Sequence, residues 1–119
     1  MNNTELGRFG ENLAENHLKA KGFRIVERNY RTGKLEIDLV AEHTKKLVIV
    51  EVKTRNTAEI GEPWKAVTKR KQRQLIKAAN NYIHSKNIHA ETRFDIVSIV
   101  HNTFRTSIEH IEDAFGPTL

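Results

Sequence analysis

Two carboxylates and a lysine interrupt runs that are otherwise apolar, and their spacing suits metal-assisted phosphodiester chemistry. Asp38 breaks the run Leu35-Glu36-Ile37-Asp38-Leu39-Val40, and Glu51 and Lys53 break Leu47-Val48-Ile49-Val50-Glu51-Val52-Lys53. A carboxylate in a buried strand is costly unless it is paired or bound to a metal. The two runs read as strands joined by a short polar turn at Thr44 and Lys45. With the turn centred between those residues, Asp38 lies opposite Glu51, and Glu36 opposite Lys53. Side chains alternate along a strand, so all four are expected on one face. Directly opposed carboxylates repel, and a divalent cation between them would convert that repulsion into ligation. Their hard oxygens suit Mg²⁺, with Mn²⁺ as a substitute. The neighbouring ammonium would stabilise charge on a reacting phosphate or orient an attacking water. The competing reading is a salt-bridged sheet face, with Lys53 against Glu36 and diagonal to Asp38.

Periodicity supplies the elements that would carry these residues. Thr4 to Lys21 predicts an amphipathic helix, with Leu6, Phe9, Leu13, Ala14, His17 and Leu18 on one side, Asn3 or Thr4 as cap and Gly22 as stop. Phe23 to Asn29 reads as a strand, followed by Leu35–Glu42 and Leu47–Thr54. The second of these lacks alternation, which predicts a central strand covered on both faces. Arg55 to Lys65 is loop-like and holds Gly61, Pro63 and Trp64. Ala66 to Lys86 predicts a second helix. Arg93–Val100 is a further strand, and Thr106–Ile111 an edge strand. The order predicts one α/β domain over residues 1–119 with a mixed sheet, the second helix crossing over between parallel strands.

Charge points to a polyanionic partner. Lys and Arg number 20 against 15 Asp and Glu, a net charge of +5 and a pI near 9.6. From Pro63 to Ala90 there are seven Lys or Arg residues and no acid, as a phosphate-facing surface requires and as a solvated helix face also permits. The inward stripe of the second helix, continued towards its start, passes through Thr68 and Gln72, with Lys71 at its edge. Lys71, Gln72 and Arg55 are therefore the candidate nucleic-acid contacts, with a hydrogen-bonded structural role as the alternative. Trp64 could stack on a base or anchor the core. Asp95, alone in an apolar strand, could support the site from the neighbouring strand, with a satisfied structural carboxylate as the favoured reading. The six histidines form no His-x-x-x-His pair and there is no cysteine, so the usual zinc spacings and disulfides are excluded. Met1 to Glu11 lacks the apolar run of a signal peptide, and no segment approaches the roughly 20 apolar residues that span a bilayer. A cytoplasmic protein without membrane partners is expected.

The segments Glu36-Ile37-Asp38-Leu39-Val40 and Val50-Glu51-Val52-Lys53-Thr54-Arg55 resemble the YraN-like family of small bacterial proteins. The likeness extends through Gly7-x-x-Gly10-Glu11-x-x-Ala14, Asn29-Tyr30-Arg31, Val67-x-x-x-Lys71, Arg93-Phe94-Asp95-Ile96-Val97 and Glu109-His110-Ile111-x-x-Ala114-Phe115. That family is similar to Holliday-junction resolvases and other restriction-endonuclease-like proteins with a PD-(D/E)xK site. The resemblance implies a restriction-endonuclease-like αβββαβ core and metal-dependent cleavage, with Asp38 and Glu51 as ligands and Lys53 as the catalytic lysine. It also implies that Glu11 joins the metal cluster from the first helix. Ile37 stands where the motif usually has proline. Branched or structured DNA and a two-fold dimer are further implications of the resolvase likeness, and no residue speaks for either. A non-catalytic nucleic-acid-binding protein and a small adaptor for a DNA-processing partner are the alternative readings.

Overall fold

The computed structural model describes residues 1–57 and 67–116; the expectations for Gly61, Pro63, Trp64 and Ala66 fall outside them. Helix α1 (Asn3–Ala20) precedes strands β1 (Arg24–Thr32), β2 (Leu35–His43) and β3 (Lys46–Arg55), then α2 (Lys69–Lys86), β4 (Thr92–His101) and β5 (Thr106–Phe115). The sheet order is β1-β2-β3-β4-β5. β3 and β4 are parallel and every other neighbouring pair is antiparallel. This is the mixed α/β architecture expected, with α2 as the crossover.

Local chemistry sets the helix ends. The cap of α1 is Asn2, upstream of both expected candidates: its side chain accepts from Glu5 N at 2.8 Å, and Glu5 Oε1 accepts from Asn2 N at 3.4 Å. This reciprocal box satisfies two of the free N–H groups at the helix start. At the other end Gly22 takes φ +91°, so that Phe23 N reaches Leu18 O and Gly22 N reaches Lys19 O, each at 3.0 Å. Asn87 does the same for α2 with φ +52°. Thr68, expected on the inward stripe, is instead the exposed N-cap of α2, its hydroxyl accepting from Lys71 N at 3.1 Å.

The helices cover different faces of the sheet. Ala14 and Leu18 of α1 pack with Leu39, Ala41, Val48 and Val50, whereas Ala78, Ala79 and Tyr82 of α2 pack with Ile37, Val40 and Ile49. Consecutive β3 residues serve opposite cores, which is why that strand shows no alternation. Gly10 brings α1 close to β3. A Cβ there would lie 1.8 Å from Thr54 Oγ1.

β5 continues past the expected Ile111 because the chain bulges. Pairing steps from Ile96↔Ile111 to Phe94↔Phe115, with Asp113 at φ +51° between them. Buried Asp95 holds this bulge by accepting from Asp113 N at 2.9 Å. Its carboxylate also accepts two bonds from Arg93 and one from His110 Nε2, all at 2.8 Å. Burial alone would raise its proton affinity, but those donors outweigh burial and hold the carboxyl below its ordinary value. No helix among the described residues is long and apolar enough to cross a membrane.

Candidate metal centre

The β2–β3 turn is the one its sequence implies. Thr44 and Lys45 both take positive φ, 48° and 66°, as a two-residue type I′ hairpin requires. The register runs from His43↔Lys46 to Leu39↔Val50, and its continuation would set Asp38 against Glu51. The ladder ends one residue short of that pair.

Strand alternation fails at the same point. Ile37 and Val40 join the core under α2, whereas Leu39 and Ala41 join the core under α1. Asp38 occupies the changeover. Its Oδ2 accepts from Val52 N at 2.8 Å, as a backbone carbonyl of a continuing ladder would. On its other side, β1 pairs Arg28↔Leu39 and Tyr30↔Ile37, which leaves Asn29 beside Asp38 with φ +54°. Asparagine tolerates this left-handed conformation better than most residues. The seam between β2 and β3 is thus open at Asp38, and groups from both faces reach it.

From one face come Glu11 of α1 and Glu36 of β2. Carboxylate oxygens of Glu11, Glu36 and Asp38 all lie within 4.8 Å of one another. The contact between Gly10 and Thr54 is what brings Glu11 so near the sheet. With its amide nitrogen turned to the acids, Asn29 donates to Glu36 Oε1 at 3.1 Å and to Glu11 Oε1 at 3.2 Å. Arg28 Nη2 lies 3.5 Å from Glu11.

From β3 comes Glu51, 3% exposed. Its Oε2 is 3.6 Å from Lys53 Nζ and 3.8 Å from Lys71 Nζ. The expected opposition of Glu36 and Lys53 does not occur. Glu36 pairs with Arg31 at 3.0 Å instead, because the strand break turns its side chain away from β3's cations.

Charge is poorly balanced here. Burial, then the charge and hydrogen bond of Glu51, push Asp38 up to about 8, against the opposing pull of Val52 N–H and Lys71. Glu11 is also raised, by burial first and then by Asp38, although Asn29 and Arg28 counteract it. Such crowding favours either a shared proton or a bound cation. Hard oxygen donors from three elements, crowded at one seam, are the type of ligand a small divalent metal takes.

The structure therefore gathers Glu11, Asp38, Glu51, Lys53 and Lys71. It does not bring in Gln72, whose side-chain amide donates to Val67 O at 3.1 Å and so serves the start of its own helix. Arg55 ends β3, two residues beyond Lys53. Sequence reasoning placed Glu36 on the same face but as a partner of Lys53 rather than a ligand beside Glu11 and Asp38, and it missed Asn29. Glu36 had a signal, since it precedes Asp38 by two residues on the same strand. Asn29 had only its residue type.

A mixed α/β domain with an acidic centre at the seam of a hairpin is the class these features define. A family model described as "Uncharacterised protein family UPF0102" matches residues 10–99, and the chain belongs to that family. Among curated relatives, a UPF0102 protein of Syntrophomonas wolfei is 46% identical over 114 residues, 95% of this chain and 99% of the relative. One from Christiangramia forsetii is 45% identical over 111 residues, 93% of each. The solved structure of Pyrococcus furiosus SfsA in complex with Ca²⁺ is similar at TM-score 0.38 and 13% identity, over 92% of this chain. This chain spans 63% of that structure's length.

Proposed function

We propose that the protein is a Mg²⁺-dependent phosphodiesterase acting on nucleic acid, with branched or structured DNA as the substrate the resolvase likeness favours. The observation that carries this reading is the convergence of Glu11, Glu36 and Asp38 oxygens within 4.8 Å beside the Glu51–Lys53 pair. Glu11, Asp38 and Glu51, with Glu36 alongside, would hold the metal. When bound, it would polarise a phosphate oxygen and lower the pKa of a water. Asn29 orients two of the carboxylates and limits their freedom before any ligand arrives. Lys53, whose side chain is 32% exposed and 3.6 Å from Glu51, would present its ammonium to a phosphate held at the metal. Lys71 enters from the start of α2, where Lys69, Arg70 and Arg73 add positive charge. Those cations lie on the solvent side of α2 and would attract a polyanion at long range, while Lys71 reaches Glu51.

The 3.6 and 3.8 Å ion pairs of Glu51 with Lys53 and Lys71 favour a second reading, a non-catalytic binder in which lysines neutralise the acids. Calorimetric titration with Mg²⁺ or Mn²⁺ separates the two. The metal centre predicts binding with proton release near neutral pH, because Asp38 is pushed up to about 8. Absence of binding would sink the catalytic reading. A cleavage assay on linear, flapped and four-way substrates then tests activity directly.

A further inference from the structure

The hairpin between β4 and β5 holds up a phenylalanine that the fold does not use. Phe104 is 93% exposed, although burial of its ring would stabilise the protein if the chain simply turned inward. The tip is firmly tied. Asn102 Oδ1 accepts from Phe104 N at 2.9 Å and from Arg105 N at 3.1 Å. Asn102 N donates to Arg105 O at 3.0 Å, and its side-chain amide donates to Asn56 O at 2.9 Å. The ring of His101 lies 4.3 Å from that of Phe9 on α1. The ring is thus presented from a backbone fastened to the end of β3.

Its surroundings are cationic. Arg55 and Arg105 belong to this rim, while Lys53, further down β3, is paired with Glu51 at 3.6 Å. Glu5, at the start of α1, is turned to the Asn2 backbone. The parallel register sets Lys53 beside Ser98 and Arg55 beside Val100, so the tip begins about 10 Å along the strand from the lysine of the acidic centre. A recess of about 560 Å³ opens beside it, lined by Met1, Leu6, Asn56, His101 and Thr103 among others.

We infer that Phe104 is a stacking platform for an unpaired nucleobase, with Arg105 and Arg55 on the adjoining phosphates. This rests on the proposed function and narrows its substrate to strands with unpaired nucleotides. A base in an intact duplex is stacked on its neighbours and offers no free face, whereas a flap, junction or single strand does. With the backbone of the tip fixed in advance, little main-chain freedom is lost on stacking. The two arginines match a phosphate backbone better than an apolar protein partner.

The test is anisotropy of the full chain in chelator, on single-stranded DNA, single-stranded RNA and blunt duplex DNA, with 2-aminopurine reporting stacking. Phe104→Ala should weaken single-strand binding by about 5- to 150-fold and leave duplex binding and the melting temperature unchanged. Phe104→Trp should restore both affinity and 2-aminopurine quenching. Dependence on Phe104 with either DNA or RNA supports the inference and names the source. Unchanged single-strand affinity in Phe104→Ala, with wild type binding well, overturns this inference alone. A wild-type dimer that becomes monomeric in Phe104→Ala overturns it in favour of a second copy. If wild type binds neither nucleic acid nor metal, the proposed function falls and takes this inference with it.

Discussion

Asp38 and Asp95 are carboxylates of the same type, each set in an apolar strand, and their surroundings make them opposites. Asp95 is fully buried and accepts from Arg93, His110 and Asp113 N, so it stays ionised. Asp38 has one N–H donor and carboxylates close by, and is pushed up to about 8. Asp95 is fully buried and Asp38 only partly so, yet the more buried of the two is the one held ionised, so burial does not decide the difference. What distinguishes them is whether the fold itself supplies the compensating donors. At Asp95 it does, and the group closes a bulge. At Asp38 it leaves a deficit of positive charge that a cation can fill.

The largest effect expected of this contrast is on activity. Asp38→Asn should abolish metal-dependent cleavage, and Lys53→Met should reduce it by about 10²- to 10³-fold, measured as single-turnover rates on the most reactive substrate. Asp95→Asn should leave metal affinity unchanged in calorimetry. Retained cleavage in Asp38→Asn would erase the distinction between the two aspartates.

Stability should reverse the order. Asp95→Asn removes the charge that offsets Arg93 and should cost about 3–5 kcal/mol in urea unfolding. Gly10→Ala comes next, because its Cβ would collide with Thr54. α1 must shift, at about 1–3 kcal/mol, and metal affinity should weaken with the displacement of Glu11. A Gly10→Ala protein with full metal affinity would remove Glu11 from the site.

The last effect concerns pH. The folded state raises Asp38's proton affinity, so its contribution to stability is complete below the ordinary value of 3.8 and is lost as pH rises through about 8. In chelator, thermal melts of wild type should therefore decline across that window, and Mg²⁺ should reverse the decline. Asp38→Asn keeps an oxygen for Val52 N–H and should gain about 1 kcal/mol over wild type at the alkaline end. A lower melting temperature there would favour the salt-bridged face. Asp95 has the opposite sign: its proton affinity is lowered, so its contribution is present above 3.8 and fails as pH falls further.

Much of this was legible in the sequence, for reasons that are local. The two residues Thr44 and Lys45 define a turn whose geometry dictates which residues of β2 and β3 meet. The unbroken run Leu47–Val50 required a strand covered on both faces, and Gly22 was suited to a left-handed helix end. Asp38, Glu51 and Lys53 stood out because charge in an apolar strand demands compensation. Tertiary structure decided how these groups are arranged. Alternation predicts side-chain direction only while the backbone stays regularly extended, and at Asp38, where the pairing with β3 stops, neighbouring side chains no longer alternate. Which way Glu36 turns then depends on Asn29 and Arg31 from β1. Whether Glu11 arrives depends on how closely Gly10 lets α1 approach Thr54. Lys71 reaches Glu51 only because α2 lies over the opposite face. Those are contacts between segments far apart in the chain, and no periodicity within one segment encodes them.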